Sequence, residues 1–422
     1  MRPRVVVVGA GFGGLTLVRA LRRAPVDVTL LDQYNYHLFT PLLYQVATAL
    51  LDPSEIAHPI RAVLRRQRNV RVVMGRLLDV HLDDRRVDTT AGSLDYDHLV
   101  VAVGSVNNFF ANRSVEEQSY PLKTLDDALA LRNHVLETFE RASVTSDDAQ
   151  RKRLETIAVV GAGPTGVECS GAFAELSALV LRRDFRGSPL TEVDITLLEA
   201  APAVLGTFAP SLQRAARRTL QRKRVVVRLQ TAVREMTPEG VVVLEDGSRI
   251  DAATVVWTAG VKASPIAGML GVAPVDGGRV PVDAWMRVGG RPDVFAIGDV
   301  AAVQGDGGPH PMLAPVAIQQ GEHVARQIVA AATGGAAPGP FRYFDKGTMA
   351  TIGRNSGIAQ IGPLRVSGFA GWLMWLFVHL VQIISFRSRL VVLVNWAWNY
   401  VFFDRPVRLI TGMEKRTRPA DD

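Results

Sequence analysis

The sequence predicts an α/β fold with two Rossmann-like dinucleotide-binding domains and a C-terminal amphipathic segment that docks on a membrane. Three observations predict it. A β-branched strand, a glycine turn and a helix start occur twice, as RVVVVGAGFGGL over Arg4–Leu15 and TIAVVGAGPTGV over Thr156–Val167. Each copy is followed by a second apolar strand that ends in an acid, Asp32 after the first and Glu199 after the second. From Phe341 onward the composition changes, and no residue between Arg365 and Arg387 is formally charged. A chain of 422 residues is too long for one core and suits two or three domains.

Along the chain, residues 1–120 form the first domain, 121–153 a charged helical linker and 154–275 an inserted second domain. The chain returns to the first domain over 276–333, through VFAIGD at Val294–Asp299 and a helix after Pro315. Gly334–Gly339 is a Pro/Gly-rich break, and 340–422 form the tail. Apolar residues at 48% and charged residues at 21% make this a globular composition. The single cysteine, Cys169, excludes a disulfide framework and an intramolecular Cys-x-x-Cys pair, and suits a reduced, cytosolic setting. The apolar run Val5–Val8 is too short for a signal peptide, so export is not expected. The net charge of +7 reads either as an arginine-rich surface without a special partner or as attraction to anionic lipid. No Lys/Arg stripe alternates with stacking aromatics, so no nucleic-acid partner is expected. The eight histidines show no ligand-spaced pair, so no metal is expected.

In the first turn, Gly9 makes the tight bend, Gly11 lets backbone approach a pyrophosphate and Gly14 lets helix pack on strand. The helix that starts there offers free N–H groups and a positive dipole end to phosphates. Asp32 closes the strand Asp27–Asp32, where an acid accepts hydrogen bonds from a ribose. Gly161, Gly163 and Gly166 repeat the arrangement, with Glu199 as the acid. A carboxylate there repels the 2′-phosphate of NADPH, which predicts NADH as donor, although Arg183 and Arg217 lie within reach of the same end. Two dinucleotide sites call for two dinucleotides, and the simplest assignment is FAD in the first domain and NADH in the second.

The chain resembles the type II NADH dehydrogenases, the single-chain NADH:quinone oxidoreductases that do not pump protons. The resemblance rests on GAGFGGL from Gly9, YNYHLFTPLLYQVAT from Tyr34, VVAVGS from Val100, GAGPTGVE from Gly161, VVWTAGV from Val255, VFAIGD from Val294, AIQQG from Ala317 and the tail from Tyr343. It implies an FAD site including Phe12, Gly13, Gly104, Asp299 and Ala317, and an NADH site that extends to Gly260. Asp299 matches the acid that binds the FAD ribitol; an N-cap without ligand is the plainer reading. Glu168 matches an acid near where nicotinamide and flavin meet, or else pairs with the dipole of its own helix. Gln319 and Gln320 open the helix after Pro315, whose N-terminus, aimed at the flavin's pyrimidine edge, stabilises the reduced ring. The resemblance makes Gln319 a candidate catalytic residue and both glutamines candidate quinone contacts; an exposed helix residue is the plainer reading of Gln319. The family's quinone pattern Ala-Gln-x-Ala-x-Gln reads here Ala314-Pro315-Val316-Ala317-Ile318-Gln319. Proline removes a polar side chain and a donor.

Disulfide reductases and sulfide:quinone oxidoreductases relay electrons through paired thiols, which Cys169 alone cannot supply. The tail holds Trp372, Trp375, Trp396 and Trp398 in two apolar runs, a composition suited to membrane interfaces. An interfacial helix, a true span, and a soluble core or homodimer interface are the alternatives, with interfacial docking on the cytoplasmic face of the cell membrane expected. His379 and Gln382 share one helical face; His379 is either a satisfied polar residue or a quinone contact. Tyr44 and Gln45 either line an acceptor channel or pack over FAD. The expected reaction passes hydride from NADH to FAD, and then two electrons to a membrane quinone of a respiratory chain. The rivals are a reductase with another acceptor and a slow redox-sensing flavoprotein.

Overall fold

The four valines before the first glycine turn are buried on both faces, as in a strand at the centre of a parallel sheet. The computed structural model describes residues 2–178, 184–185, 193–305, 308–384, 386–402 and 407–411. They divide into two units.

The first unit comprises Met1–Leu38, Ala57–Asn108 and Val261–Lys346. Its five-stranded sheet runs in the order Val294–Ala296, His98–Val101, Arg4–Val8, Asp27–Asp32, Val70–Met74, with every pairing parallel. The Phe12–Ala20 helix packs on the Ala314–Thr333 helix. Their approach is close because both surfaces carry glycine. A Cβ on Gly13 would sit 3.1 Å from the Ala317 carbonyl oxygen, and one on Gly321 would overlap the carbonyl of Gly13.

The second unit comprises Phe39–Ile56, Phe109–Gly260 and Gly347–Asp422. Its parallel sheet runs Tyr120–Pro121, Thr254–Trp257, Thr156–Val160, Asp194–Leu198, Val225–Arg228. Segment 39–56, which the sequence reading leaves in the first domain, groups here. Its helix Leu43–Ala47 is buried along its whole length and packs on the Leu125–Val144 and Pro164–Leu176 helices. Leu125–Val144 starts at a Thr124/Asp127 capping box and buries Leu131, Val135 and Phe139. It is thus a packed element of the unit and not a free connector. The C-terminal segment joins this unit as well. An antiparallel sheet of Thr348–Thr351, Gly357–Ile361 and Leu364–Gly368 lies against the Pro164–Leu176 helix. The helix Phe369–Gln382 packs on it where Gly371 meets Gly357, each too close to its neighbour's backbone to accept a Cβ. A second helix, Phe386–Phe402, follows. No helix is long and apolar enough to cross a membrane among the described residues.

Both tail helices are apolar on their outward faces. Phe369, Leu373, Phe377 and Val381 recur every four residues and are exposed, Phe377 by 69%. On Phe386–Phe402 the pattern is inside out. Leu390, Leu393, Val394, Trp398 and Val401 are exposed, whereas Asn399 is buried. Arg354 reaches the last carbonyls of this helix, donating to the oxygens of Asn399 (2.6 Å) and Tyr400 (3.2 Å), a favourable place for a cation. Gln382, expected to share a protein-facing side with His379, is exposed.

Candidate functional site

The two glycine turns are built alike. Gly9 has φ +104° and Gly161 φ +98°, a conformation that favours glycine. Each N–H bonds to the last residues of the next strand, Gly9 to the Leu31 oxygen and Gly161 to that of Leu198, both at 2.8 Å. A Cβ on Gly14 would overlap the Gly9 carbonyl, and one on Gly166 that of Gly161; these glycines let helix start against strand. At Gly11 and Gly163 a Cβ would meet nothing within 4 Å. Both are N-caps without a side-chain cap, so no cap side chain stands at either helix start, and Pro164 brings no N–H of its own to the second. That is a cradle for a pyrophosphate, and the residues present suit a dinucleotide in each unit.

The two acids also match. Asp32 accepts from the N–H of Ala10 (2.6 Å) and Tyr34 (2.8 Å). Glu199 accepts from those of Ala162 (2.6 Å) and Ala201 (2.8 Å). Each carboxylate is therefore fixed beside its turn by two backbone N–H groups. Burial raises the Asp32 pKa against the pull of its two N–H partners. Arg217 is exposed, and Arg183 lies outside the described residues.

In the first unit Phe12 meets His37 edge to face at 5.2 Å, and His37 Nδ1 bonds to the Ala10 oxygen. Ser105 donates to Asp299 at 2.5 Å, beside Gly104, which has φ +69°. Gln320 is buried, and its Oε1 accepts from the Gly298 N–H at 2.6 Å. Gln319 spends both ends of its amide on the backbone of Phe344, at 2.9 and 3.0 Å. These two side chains thus brace the Gly298 turn and the 341–346 segment. Gly13 and Ala317 lie at the helix–helix contact already described. In the second unit Gly260 has φ +153° and faces the Phe110 ring, 3.5 Å from a built Cβ.

Glu168, Tyr44, Gln45 and His379 come together in the second unit. Glu168 is buried, and its Oε1 accepts from the Thr351 N–H and the Trp375 indole, both at 3.2 Å. Burial pushes this carboxyl up to about 8. Trp375 stacks on His379 with centroids 4.1 Å apart and lies 6.5 Å from the Tyr44 ring. Phe39 meets His379 edge to face at 6.4 Å. Trp396 donates to Gln45 Oε1 at 2.9 Å, which turns the Gln45 amide so that its Nε2 donates to the Tyr44 hydroxyl at 2.9 Å. The Tyr44 hydrogen is thereby left for another acceptor, and burial holds this phenol protonated well above its ordinary value. His379 Nδ1 lies 2.8 Å from the Trp375 carbonyl, so it must donate. Burial lowers the His379 pKa to about 4, leaving a neutral ring with Nε2 as an acceptor.

Trp375, Thr351 and Trp396 were not singled out as site residues in the sequence, nor was the pair in which Asn395 donates to Glu55. What they share is a hydrogen bond to a buried polar side chain far away in sequence, which no local pattern announces. Cys169 is fully buried in the same helix as Glu168, which raises its thiol pKa far above the ordinary value. It is inert packing.

Residues 3–321 match the family described as pyridine nucleotide-disulphide oxidoreductase, and 346–405 match the NDH2 C-terminal domain. A type II NADH:quinone oxidoreductase of Mycobacterium tuberculosis is 41% identical over 430 residues, covering 99% of this chain and 92% of that protein. The structure of NDH2 from Plasmodium falciparum in complex with NADH superposes with a TM-score of 0.88 at 20% identity, covering 96% of this chain and 100% of that one. The sulfide:quinone oxidoreductase of Aquifex aeolicus shares the fold, with a TM-score of 0.71 at 19% identity over 95% of both chains.

Proposed function

We propose that this chain, which belongs to the type II NADH:quinone oxidoreductase family, performs that family's reaction with three sets of its own residues. When bound, FAD supplies the chemistry, taking two electrons from NADH and passing them to quinone without proton pumping. Gly9, Gly11, Phe12, Gly13 and Gly14, with Asp32, hold the nucleotide end of FAD. Gly104, Asp299 and Ala317 hold its remainder, and Gln319 and Gln320 stiffen the elements beside it. Gly161, Gly163, Gly166, Glu199 and Gly260 hold NADH. Tyr44, Gln45, Glu168 and His379, with Trp375, receive the quinone.

Quinone reduction consumes two protons, and the aromatic cluster offers two. Tyr44 carries one on its hydroxyl, aligned by Gln45 and Trp396. Glu168 carries the other on Oε2, because Oε1 is committed to two N–H donors and the group stays protonated at neutral pH. His379 Nε2 accepts a hydrogen bond and cannot donate one, so it orients a hydroxyl product and does not protonate the quinone. The observation that supports this reading best is the burial of Glu168 against Trp375 beside Tyr44. The exposed apolar faces of the two tail helices support docking on a lipid bilayer as a peripheral protein, where a lipid-soluble quinone arrives, and the single cysteine suits the cytoplasmic face. Pairing of two copies through those faces would instead appear as a dimer by light scattering that persists in lipid.

Turnover of Tyr44→Phe with a lipophilic quinone and with ferricyanide, which needs no proton donor, tests the assignment. The expected result is a loss of quinone turnover with ferricyanide turnover kept. Equal rates with quinone for the variant and the parent would overturn it.

A further inference from the structure

The inward face of the Phe386–Phe402 helix is unusually polar. Val392, Asn395, Trp396 and Asn399 recur at three- and four-residue spacing, which puts them on one face. Val392 and Asn399 are buried, and Asn395 and Trp396 are half-buried. That face holds one aliphatic side chain, two amides and an indole, while Leu390, Leu393, Val394, Trp398 and Val401 are exposed on the outward face. Apolar burial is non-directional, and one buried valine does little to fix how the helix is turned. Directional hydrogen bonds from the inward face set its rotation.

Two of those bonds start from neighbouring residues and end on one short segment, 43–56. Asn395 Nδ2 donates to Glu55 Oε1, and Trp396 Nε1 donates to Gln45 Oε1 at 2.9 Å. Glu55 is buried. Its Oε2 accepts from the Asp52 N–H at 3.3 Å, and its own N–H donates to the Asp52 oxygen at 3.0 Å. The carboxyl is therefore a fixed acceptor. Burial pushes it up to about 7, and Oε1 can accept whether or not the group is ionised. At the other bond, an indole can only donate, so Trp396 decides which way the Gln45 amide points. Gln45 Nε2 then donates to the Tyr44 hydroxyl at 2.9 Å. Without the indole, the amide would be free to turn over and take the Tyr44 hydrogen on its oxygen. Arg354 pins the far end of the helix through the Asn399 and Tyr400 carbonyls; Asn395 is the anchor next to Trp396.

We propose that Glu55 is a positioning residue for quinone reduction, acting through Asn395 and the adjacent Trp396 to keep Gln45 donating to Tyr44, a role that rests on Tyr44 being a proton donor to the quinone. The tail helix then takes part in the chemistry as well as in docking. Its outward face meets lipid, and its inward face aligns a proton.

Stopped-flow measurement of both half-reactions on the FAD-loaded full chain, with NADH and a lipophilic quinone, tests this in Glu55→Ala, Glu55→Gln, Tyr44→Phe and the double variant of Glu55→Ala with Tyr44→Phe. Glu55→Ala should slow flavin reoxidation by quinone on the order of tenfold, because a small misplacement of a reacting group is costly. Reduction by NADH should stay within about twofold, since nothing in that step uses Tyr44. Glu55→Gln keeps an oxygen for Asn395 and should restore most of the rate. In the Tyr44→Phe background, Glu55→Ala should slow reoxidation by less than about twofold further, because residues that act as one unit are not additive. Asn395→Ala removes the same bond from its other side and should reproduce Glu55→Ala; it decides the matter if Glu55→Ala does not fold. Reoxidation at the parental rate, equal slowing of both half-reactions, no rescue by Glu55→Gln, or a full further loss in the Tyr44→Phe background would overturn the role of Glu55 alone. Parental reoxidation in Tyr44→Phe would overturn the donor role of Tyr44 and, with it, that of Glu55.

Discussion

Replacing Glu168 by Gln tests the proton path with little disturbance of packing. Gln keeps an Oε1 that can accept from Thr351 and Trp375, both now at 3.2 Å. The added NH₂ must find an acceptor in a buried site, which costs at most about 1–3 kcal/mol. With a pKa of about 8, roughly nine-tenths of the carboxyls carry a proton at pH 7. Loss of one positioned proton donor costs about 10²–10⁴-fold, or about 3–5 kcal/mol of barrier. Stopped-flow absorbance separates the halves of the cycle. Reduction of the flavin by NADH should be nearly unchanged in E168Q, and its reoxidation by quinone should slow by that factor. In the parent, reoxidation should also slow as pH rises through about 8, and the variant should lack that step. Stability changes in a related way. The folded chain holds this proton more tightly than the unfolded chain, whose Glu has the ordinary value of 4.5. The stability it contributes is present below about 4.5 and lost as pH rises to about 8, a slope E168Q should lack. Reoxidation of E168Q at a rate within threefold of the parent, with the same pH profile, would refute the assignment.

Glu199→Gln should raise kcat/KM for NADPH relative to NADH on the order of tenfold, by removing one like charge from the 2′-phosphate; an unchanged ratio would show that Glu199 does not read that position. Gly166→Ala would bring a Cβ into the Gly161 carbonyl and within 2.7 Å of Thr258 Oγ1. It should lower the melting temperature and abolish NADH use while bound FAD is retained, as seen by flavin absorbance. Phe377→Asp, at an outward position of the tail, should abolish flotation with lipid vesicles. It should leave turnover with a water-soluble quinone within about twofold, because surface changes away from packed contacts cost little.

The glycine turns were legible in the sequence because backbone geometry dictates them. A φ near +100° at Gly9 and Gly161, and no room for a side chain at Gly14 and Gly166, leave few other residues acceptable. Asp32 and Glu199 were legible for the same reason, since each ends a strand beside its turn. The exposed stripe Phe369, Leu373, Phe377, Val381 follows from helical periodicity. What stayed hidden depends on long-range contacts. Trp375 meets Glu168 across 207 positions, and nothing local to either announces the pair. The Phe386–Phe402 helix turns Asn395 and Trp396 inward because Glu55 and Gln45 wait for them, against the usual polar-outside pattern. Gln319 and Gln320 have the residue type of ligand contacts, yet the backbones of Phe344 and Gly298 occupy them. Segment 39–56 follows the first glycine domain in sequence, but its buried helix belongs with the second.

Anaerobic spectral titration of the purified holoprotein examines the passage of electrons from NADH through FAD to quinone most directly. One flavin per chain should bleach on addition of NADH and regain its colour with a stoichiometric amount of lipophilic quinone. A flavin that bleaches with NADH but stays reduced in the presence of quinone would contradict it.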